Sequence, residues 1–235
     1  MDILEIGKIA IICLFAYLFG SIPFGYIVAK VKGIEIQKVG SGNIGGTNVG
    51  RILGPKYGFF VGFADAWKAT VSVAIASLFL PTSGIGVGLA LFCCLLGAVF
   101  SIWLKLWTGS FKAGKGVGAL IGGLLVLAGW KWVIIIGCGI IAFFFLARRK
   151  MSAASLILVA SILLLAPLVP ALINIMPITL LIVALIWWAH RENIKRLVEN
   201  IEPSLALKLP SFFRKIPEDG FWFVIDKIKF LKKKR

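Results

Sequence analysis

The sequence predicts an all-α, polytopic integral membrane protein with seven transmembrane helices, and three observations carry that expectation. Of the 235 residues, 60% are hydrophobic and 15% charged, where a soluble domain has roughly half and roughly a quarter. The apolar residues gather into runs approaching the ~20 residues of helix that cross a bilayer. The connections between the runs alternate between cationic and nearly neutral, as membrane topology requires.

The runs are, in order, residues 3–29, 58–80, 84–104, 116–128, 132–147, 153–169 and 171–189. Asp2 and Glu5 stand where a signal peptide would carry cations, so the first run reads as a retained span. Lipid supplies no partner for backbone polar groups, so each run is expected to be helical, and barrel-like alternation is absent. Gly54, Gly58 and Gly62 are four apart, as are Gly118 and Gly122. Small residues at that spacing let helix backbones approach closely. Cys13, Cys93, Cys94 and Cys138 lie inside apolar runs without a CxxC pair and read as small hydrophobes.

Charge orients the chain. The first connection holds Lys30, Lys32, Lys38, Arg51 and Lys56; the third holds Lys105, Lys112 and Lys115; the fifth is Arg148-Arg149-Lys150. The second and sixth hold no charge, and the fourth only Lys131. Twelve Lys and Arg follow His190. The cationic side is the cytoplasmic one, which puts the N-terminus outside and the C-terminus in the cytoplasm. Topology thus absorbs most of the net +16, and no nucleic-acid partner is expected. Residues 1–200 form the membrane-embedded unit and 201–235 a basic cytoplasmic tail. Its last stretch, from Phe221 to Arg235, interleaves Trp222, Ile225 and Ile228 with lysines and reads either as a cationic helix lying on the anionic inner leaflet or as a frayed topogenic tail.

Polar residues cluster in three places on the cytoplasmic side. The first runs from Gly40 to Arg51, with Ser41, Gly42, Asn43, Gly45, Gly46, Thr47 and Asn48 between them. Glycines let the backbone approach a ligand, successive N–H groups make an anion nest, and Arg51 can fork onto phosphate oxygens. The second is Phe111-Lys112-Ala113-Gly114-Lys115-Gly116. Gly109, Gly114 and Lys115 fit a Walker A spacing, but Gly116 stands where the magnesium-binding hydroxyl belongs, so the NTPase reading fails. A lysine in a glycine cradle at a helix N-terminus still suits a phosphate. The third runs from His190 through Asn193 to Leu197. On a continued helix His190 and Asn193 share a face, and His190 is a general base or a phosphate donor. Asp65 and Lys68, one turn apart within a span, read as a structural pair beside the site. Ser152 and Ser155 follow the fifth connection. One histidine and one mid-span carboxylate make no ligand set, so neither a metal nor another cofactor is expected.

From about Gly20 to Leu197 the chain resembles the bacterial acyl-phosphate:glycerol-3-phosphate acyltransferases of the PlsY type. The likeness rests on Gly20-Ser21-Ile22-Pro23, on Ser41-Gly42-Asn43 through Thr47-Asn48-Val49 to Arg51, and on Asp65-Ala66-Trp67-Lys68. It continues in Lys112 with Gly114-Lys115-Gly116, in Arg149 with Ser152 and Ser155, and in His190-Arg191-Glu192-Asn193-Ile194-Lys195-Arg196-Leu197. The resemblance implies a bacterial inner-membrane enzyme whose site faces the cytoplasm. It would transfer an acyl group from acyl phosphate to the 1-hydroxyl of sn-glycerol 3-phosphate, giving lysophosphatidate and phosphate for phospholipid synthesis, with no cofactor and as a monomer. It implies that Ser41, Arg51, Lys115 and His190 bind the phosphate of glycerol 3-phosphate and that Asn193 and Asn43 orient the glycerol. The glycine loop and Ser152 would hold the acyl-phosphate head. Gly97-Ala98 departs from the family's Gly-His, and Lys150 from its usual tyrosine. The alternatives are a divergent paralogue with lost or altered activity and a polytopic transporter, which should show polar or broken spans near the midplane.

Overall fold

The computed structural model describes residues 2–80, 84–130, 134, 137 and 150–203. Among these residues the chain is helical, with one isolated antiparallel bridge between Phe100 and Lys112. The run at 132–147, save residues 134 and 137, lies outside the described residues, as do Arg148, Arg149 and the segment from Phe221 to Arg235.

The first run is two helices rather than one. Asp2 caps α1 (Ile3–Gly20) by accepting a hydrogen bond from the Glu5 amide at 2.7 Å. The chain then breaks at Ser21–Pro23 before α2 (Phe24–Val31). Pro23 has no N–H and disfavours helical geometry in the residue before it. The carbonyls freed by the break find partners far along the chain. Ser101 Oγ donates to the Ser21 carbonyl, and Lys68 Nζ donates to the Ile22 carbonyl at 3.2 Å.

A 3-10 turn at Ile36–Lys38 leads to α3 (Gly46–Leu53) and the long α4 (Pro55–Phe79). The third run divides at Ser101 into α5 (Gly84–Val99) and α6 (Ile102–Thr108), with Ser101 Oγ capping α6 at the Leu104 amide. Then come α7 (Val117–Leu127), α8 (Met151–Leu165), a 3-10 turn at Ala166–Leu168, α9 (Pro170–Ile173), α10 (Met176–Ala189) and α11 (Arg191–Val198). Among the described residues, three helical segments are long and apolar enough to span a bilayer. They are Ile3–Val31 with mean hydropathy 2.0, Pro55–Phe79 with 1.4 and Met151–Leu168 with 2.3. The helices Gly84–Val99, Val117–Leu127 and Met176–Ala189 are apolar but shorter.

Among the described residues, buried apolar side chains form two cores. The larger joins α1, α4, α5, α7, α8 and α10 through residues such as Ala16, Val73, Leu91, Leu120, Val159 and Ile186. The smaller joins α2, the loop after it, α3, the start of α4, and α6 through Ala29, Ile36, Ile44, Val49, Val61 and Leu104. Outward-facing Leu14, Phe59, Phe63, Leu78 and Leu164 stay exposed, which suits a lipid solvent and not water.

The expected glycine packing is seen at three of the five positions. Gly58 lies against α3, and Gly118 and Gly122 against Asp65 and Ala66 of α4, while a Cβ added at Gly62 would enter open space. Gly54 is instead a turn residue with φ +100°, which joins α3 to α4. The closest approach is at Gly122, where an added Cβ would stand 1.9 Å from the Ala66 carbonyl oxygen. Thr70 Oγ1 donates across the same crossing to the Gly122 carbonyl at 3.0 Å. Gly122→Ala must push the helices apart and is expected to cost about 3 kcal/mol. In detergent this reads as a Tm lower by roughly 6–12 °C; an unchanged Tm would contradict the crossing.

Candidate active site

The glycine loop is shaped by two asparagines. Gly40 and Gly42 take φ of 60° and 67°, the left-handed region that side chains resist. Asn48, 2% exposed, spans the loop: its Oδ1 accepts from the Ser41 amide at 2.9 Å and its Nδ2 donates to the Val39 carbonyl at 3.1 Å. Asn43 Oδ1 accepts from the Gly45 amide at 2.7 Å, an Asx turn that leads into α3. Gly25 seats the loop on α2, since a Cβ there would lie 1.7 Å from the Ile44 carbonyl oxygen. Ser41, Thr47 and Arg51 are left exposed on the loop and α3. Gly46 approaches Gly58 backbone to backbone.

The lysine loop is held by backbone pairing rather than by a preceding parallel strand. Ser101 N donates to the Phe111 carbonyl at 3.1 Å, Ala113 N to Val99 at 3.1 Å, and Gly114 N to Ala98 at 2.9 Å. Gly116, with φ 78°, then turns the chain into α7. Lys112 stays exposed while Lys115 turns inward.

Lys115 Nζ donates to Asn193 Oδ1, joining the second and third clusters across 78 residues. Asn193 is 4% exposed, and its Nδ2 donates to Glu202 Oε1 at 2.7 Å. Arg196 Nε donates to the other carboxylate oxygen, Oε2, at 2.7 Å. The expected continuous helix from 190 is interrupted once: His190 ends α10 and starts α11 with φ −95° and ψ 3°. His190 and Asn193 are nonetheless buried together, at 2% and 4% exposure. Ser152, also buried, makes no hydrogen bond through its Oγ, and Ser155 Oγ donates to the Met151 carbonyl at 2.8 Å.

Glu202 is the residue that sequence reasoning missed. Asn200 takes φ 59°, which reverses the chain after α11, and the Glu202 amide donates back to the Arg196 carbonyl at 3.1 Å. Lys150 Nζ fastens the reversal by donating to Asn200 Oδ1 at 3.0 Å. The available signal was an acid two residues after an asparagine able to adopt the left-handed turn.

The electrostatics follow from burial and crowding. Burial, with some help from Arg196, Lys112 and Arg51, pushes the Lys115 ammonium down to about 8, while Glu202 works the other way. Burial and the Lys115 charge push His190 down to about 4. The imidazole is therefore neutral near pH 7. Its Nδ1 lies 2.8 Å from the Ile186 carbonyl, which can only accept, so Nδ1 carries the proton and Nε2 a free lone pair. Burial pushes the Glu202 carboxyl up, but the hydrogen bonds from Arg196 and Asn193 hold it below its ordinary value. Asp65 and Lys68 pair at 2.8 Å, as expected. In addition, Lys68 anchors the break after α1.

A family model described as glycerol-3-phosphate acyltransferase matches residues 10–200. Among curated relatives, a glycerol-3-phosphate acyltransferase of Thermus thermophilus is 41% identical, covering 82% of this chain and 93% of its own. That of Aquifex aeolicus is 36% identical, covering 83% and 98%. Among solved structures, the glycerol 3-phosphate form of PlsY, an integral membrane glycerol 3-phosphate acyltransferase, superposes with TM-score 0.78 at 32% identity, covering 85% of this chain and 96% of that one. Its lysophosphatidic acid form gives TM-score 0.75 at 31% identity, covering 84% and 95%.

Proposed function

The chain belongs to the glycerol-3-phosphate acyltransferase family, and on that premise we propose that it moves an acyl group from acyl phosphate to the 1-hydroxyl of sn-glycerol 3-phosphate, releasing lysophosphatidate and phosphate. One observation carries the reading. Lys115 and Asn193 meet, and the charges of Arg196, Lys112 and Arg51 bear on the same ammonium, opposed by that of Glu202. A cationic, partly desolvated pocket of this kind suits two phosphate-bearing substrates.

The roles divide by chemistry. Ser41, Arg51 and Lys115 hold the phosphate of glycerol 3-phosphate, and Asn193, with Asn43, orients its glycerol. The glycine loop (Gly42, Gly45, Gly46 and Thr47, with Asn48 bracing its backbone), Lys112, Gly114 and Gly116 of the lysine loop, and Ser152 take the acyl-phosphate head. Neutral His190 presents a lone pair at Nε2, so it accepts a hydrogen bond from the substrate hydroxyl rather than donating one to phosphate. Acyl phosphate is already activated, so positioning and charge stabilisation carry the reaction. A phosphate oxygen of the substrate takes the hydroxyl proton. The excess of Lys and Arg in the odd connections and the tail supports a site at the cytoplasmic face of the bacterial inner membrane, with the N-terminus outside and seven spans in all.

Purified protein incubated with palmitoyl phosphate and labelled glycerol 3-phosphate is expected to form lysophosphatidate, and none with palmitoyl-CoA. No product from either donor, with the fold intact, would sink the reading; product from CoA alone would sink the donor. In the same assay His190→Gln is expected to lose about 10²-fold in kcat/KM. Full activity in that variant would remove His190 from the hydroxyl site.

A further inference from the structure

A small cavity, with about 10 Å³ of room for a water centre, lies under the two substrate loops. Ile44 of the glycine loop and Gly114 of the lysine loop line it, together with Ala98, Ser21, Asp65 and Lys68. A single oxygen atom needs about that much room. The cavity is close to the phosphate-binding lysine along the chain, for Gly114 precedes Lys115. Gly118, on the next turn, abuts the Asp65 side chain, its added Cβ standing 3.1 Å from the Asp65 Cβ.

Two groups in the lining have hydrogen-bond donors to spare. Ser21 is 1% exposed and its Oγ has no hydrogen-bond partner, although its own carbonyl is taken by Ser101. Lys68 is 2% exposed. Its ammonium has three donors, of which one goes to Asp65 Oδ1 at 2.8 Å and one to the Ile22 carbonyl at 3.2 Å. Buried polar groups are nearly always paired, and an unpaired one marks a place where something else supplies the partner.

We propose that this cavity is the oxyanion pocket of the acyl transfer, with Ser21 Oγ–H and the third Nζ–H of Lys68 donating to the acyl oxygen as it gains charge. The proposal rests on the acyl-phosphate reading above. The glycerol 1-hydroxyl oxygen forms a bond to the acyl carbon, and the C=O π pair moves onto the acyl oxygen, where the two donors receive it. The pair returns, the bond from carbon to the phosphate oxygen breaks, and phosphate leaves with those electrons and the hydroxyl proton. Asp65 keeps the resting lysine paired within the span, and the pocket meets extra negative charge only during the reaction. Donors fixed in a dry site need no reorganisation when that charge appears.

Steady-state kinetics and thermal unfolding of wild type, Ser21→Ala and Ser21→Cys test this. Both variants are expected to lose about 10²-fold in kcat with KM for glycerol 3-phosphate unchanged. Neither is expected to lower Tm, because the Ser21 hydroxyl has no partner to lose. Cysteine restores the volume but not a strong donor, so recovery of kcat in Ser21→Cys would assign Ser21 to packing and overturn the pocket. Near wild-type kcat in Ser21→Ala would overturn it too, with the acyl-phosphate reading intact. A wild type inactive with acyl phosphate would overturn that reading and the pocket with it.

Discussion

Lys115→Met is expected to lower kcat/KM for glycerol 3-phosphate by about 10³-fold. Methionine fills the lysine's volume but leaves the substrate phosphate without its central cation and Asn193 Oδ1 without its donor. The wild type should also show a basic limb. The free ammonium titrates at about 8, and only its charged form binds the phosphate dianion, which forms above about pH 6. KM is therefore lowest between these values and rises as pH passes about 8. In Lys115→Arg the limb should vanish, because a guanidinium keeps its charge. Stability runs the other way. The folded value lies below the ordinary 10.5, so between the two the unfolded chain binds more protons. Lys115 thus penalises the ligand-free fold at neutral pH, and the penalty fades as pH rises through that window. Wild type compared with Lys115→Met should gain relative Tm from pH 8 to pH 10 while substrate affinity falls. A KM flat across that range would place the phosphate elsewhere.

The candidate sites legible in the sequence were those whose chemistry is written in adjacent residues. The glycines and asparagines of the first loop, the Gly114-Lys115 pair and the His190 to Asn193 spacing each marked a segment that the fold shapes into a tight loop or a buried turn. Hydropathy located helices as well, but it reports burial and not direction. It ran α1 and α2 together because Ser21, Ile22 and Pro23 hardly dent the apolar average. The break becomes stable only because Lys68 and Ser101, 46 and 80 residues away, supply donors to its carbonyls. Such partners are set by tertiary packing, which no local spacing encodes. Asn48 shows the same limit. Its residue type suggested contact with a ligand, yet both ends of its amide serve the loop's own backbone.

Glu202 depends most on the folded chain, and its removal should be felt twice. The carboxylate can only accept, so it compels Asn193 to present Nδ2 to it and Oδ1 to Lys115. Glu202→Ala removes this orienting contact and leaves Arg196 without its partner. Breaking a buried pair costs about 3–5 kcal/mol. Arg196 keeps 29% side-chain exposure, so water repays part of the loss, and about 2 kcal/mol is expected. That corresponds to a Tm lower by roughly 4–8 °C. The second effect is electrostatic and survives in Glu202→Gln, which keeps the shape. Glu202 is the anion that raises Lys115 towards its ordinary value. Without it the ammonium titrates below about 8, so the basic limb of KM moves to lower pH. Measuring KM against pH for wild type and Glu202→Gln separates the two effects. A lowered Tm with an unmoved limb would make Glu202 a brace for the chain reversal alone. A shifted limb would show that one carboxylate after α11 sets the charge state of a lysine at the start of α7.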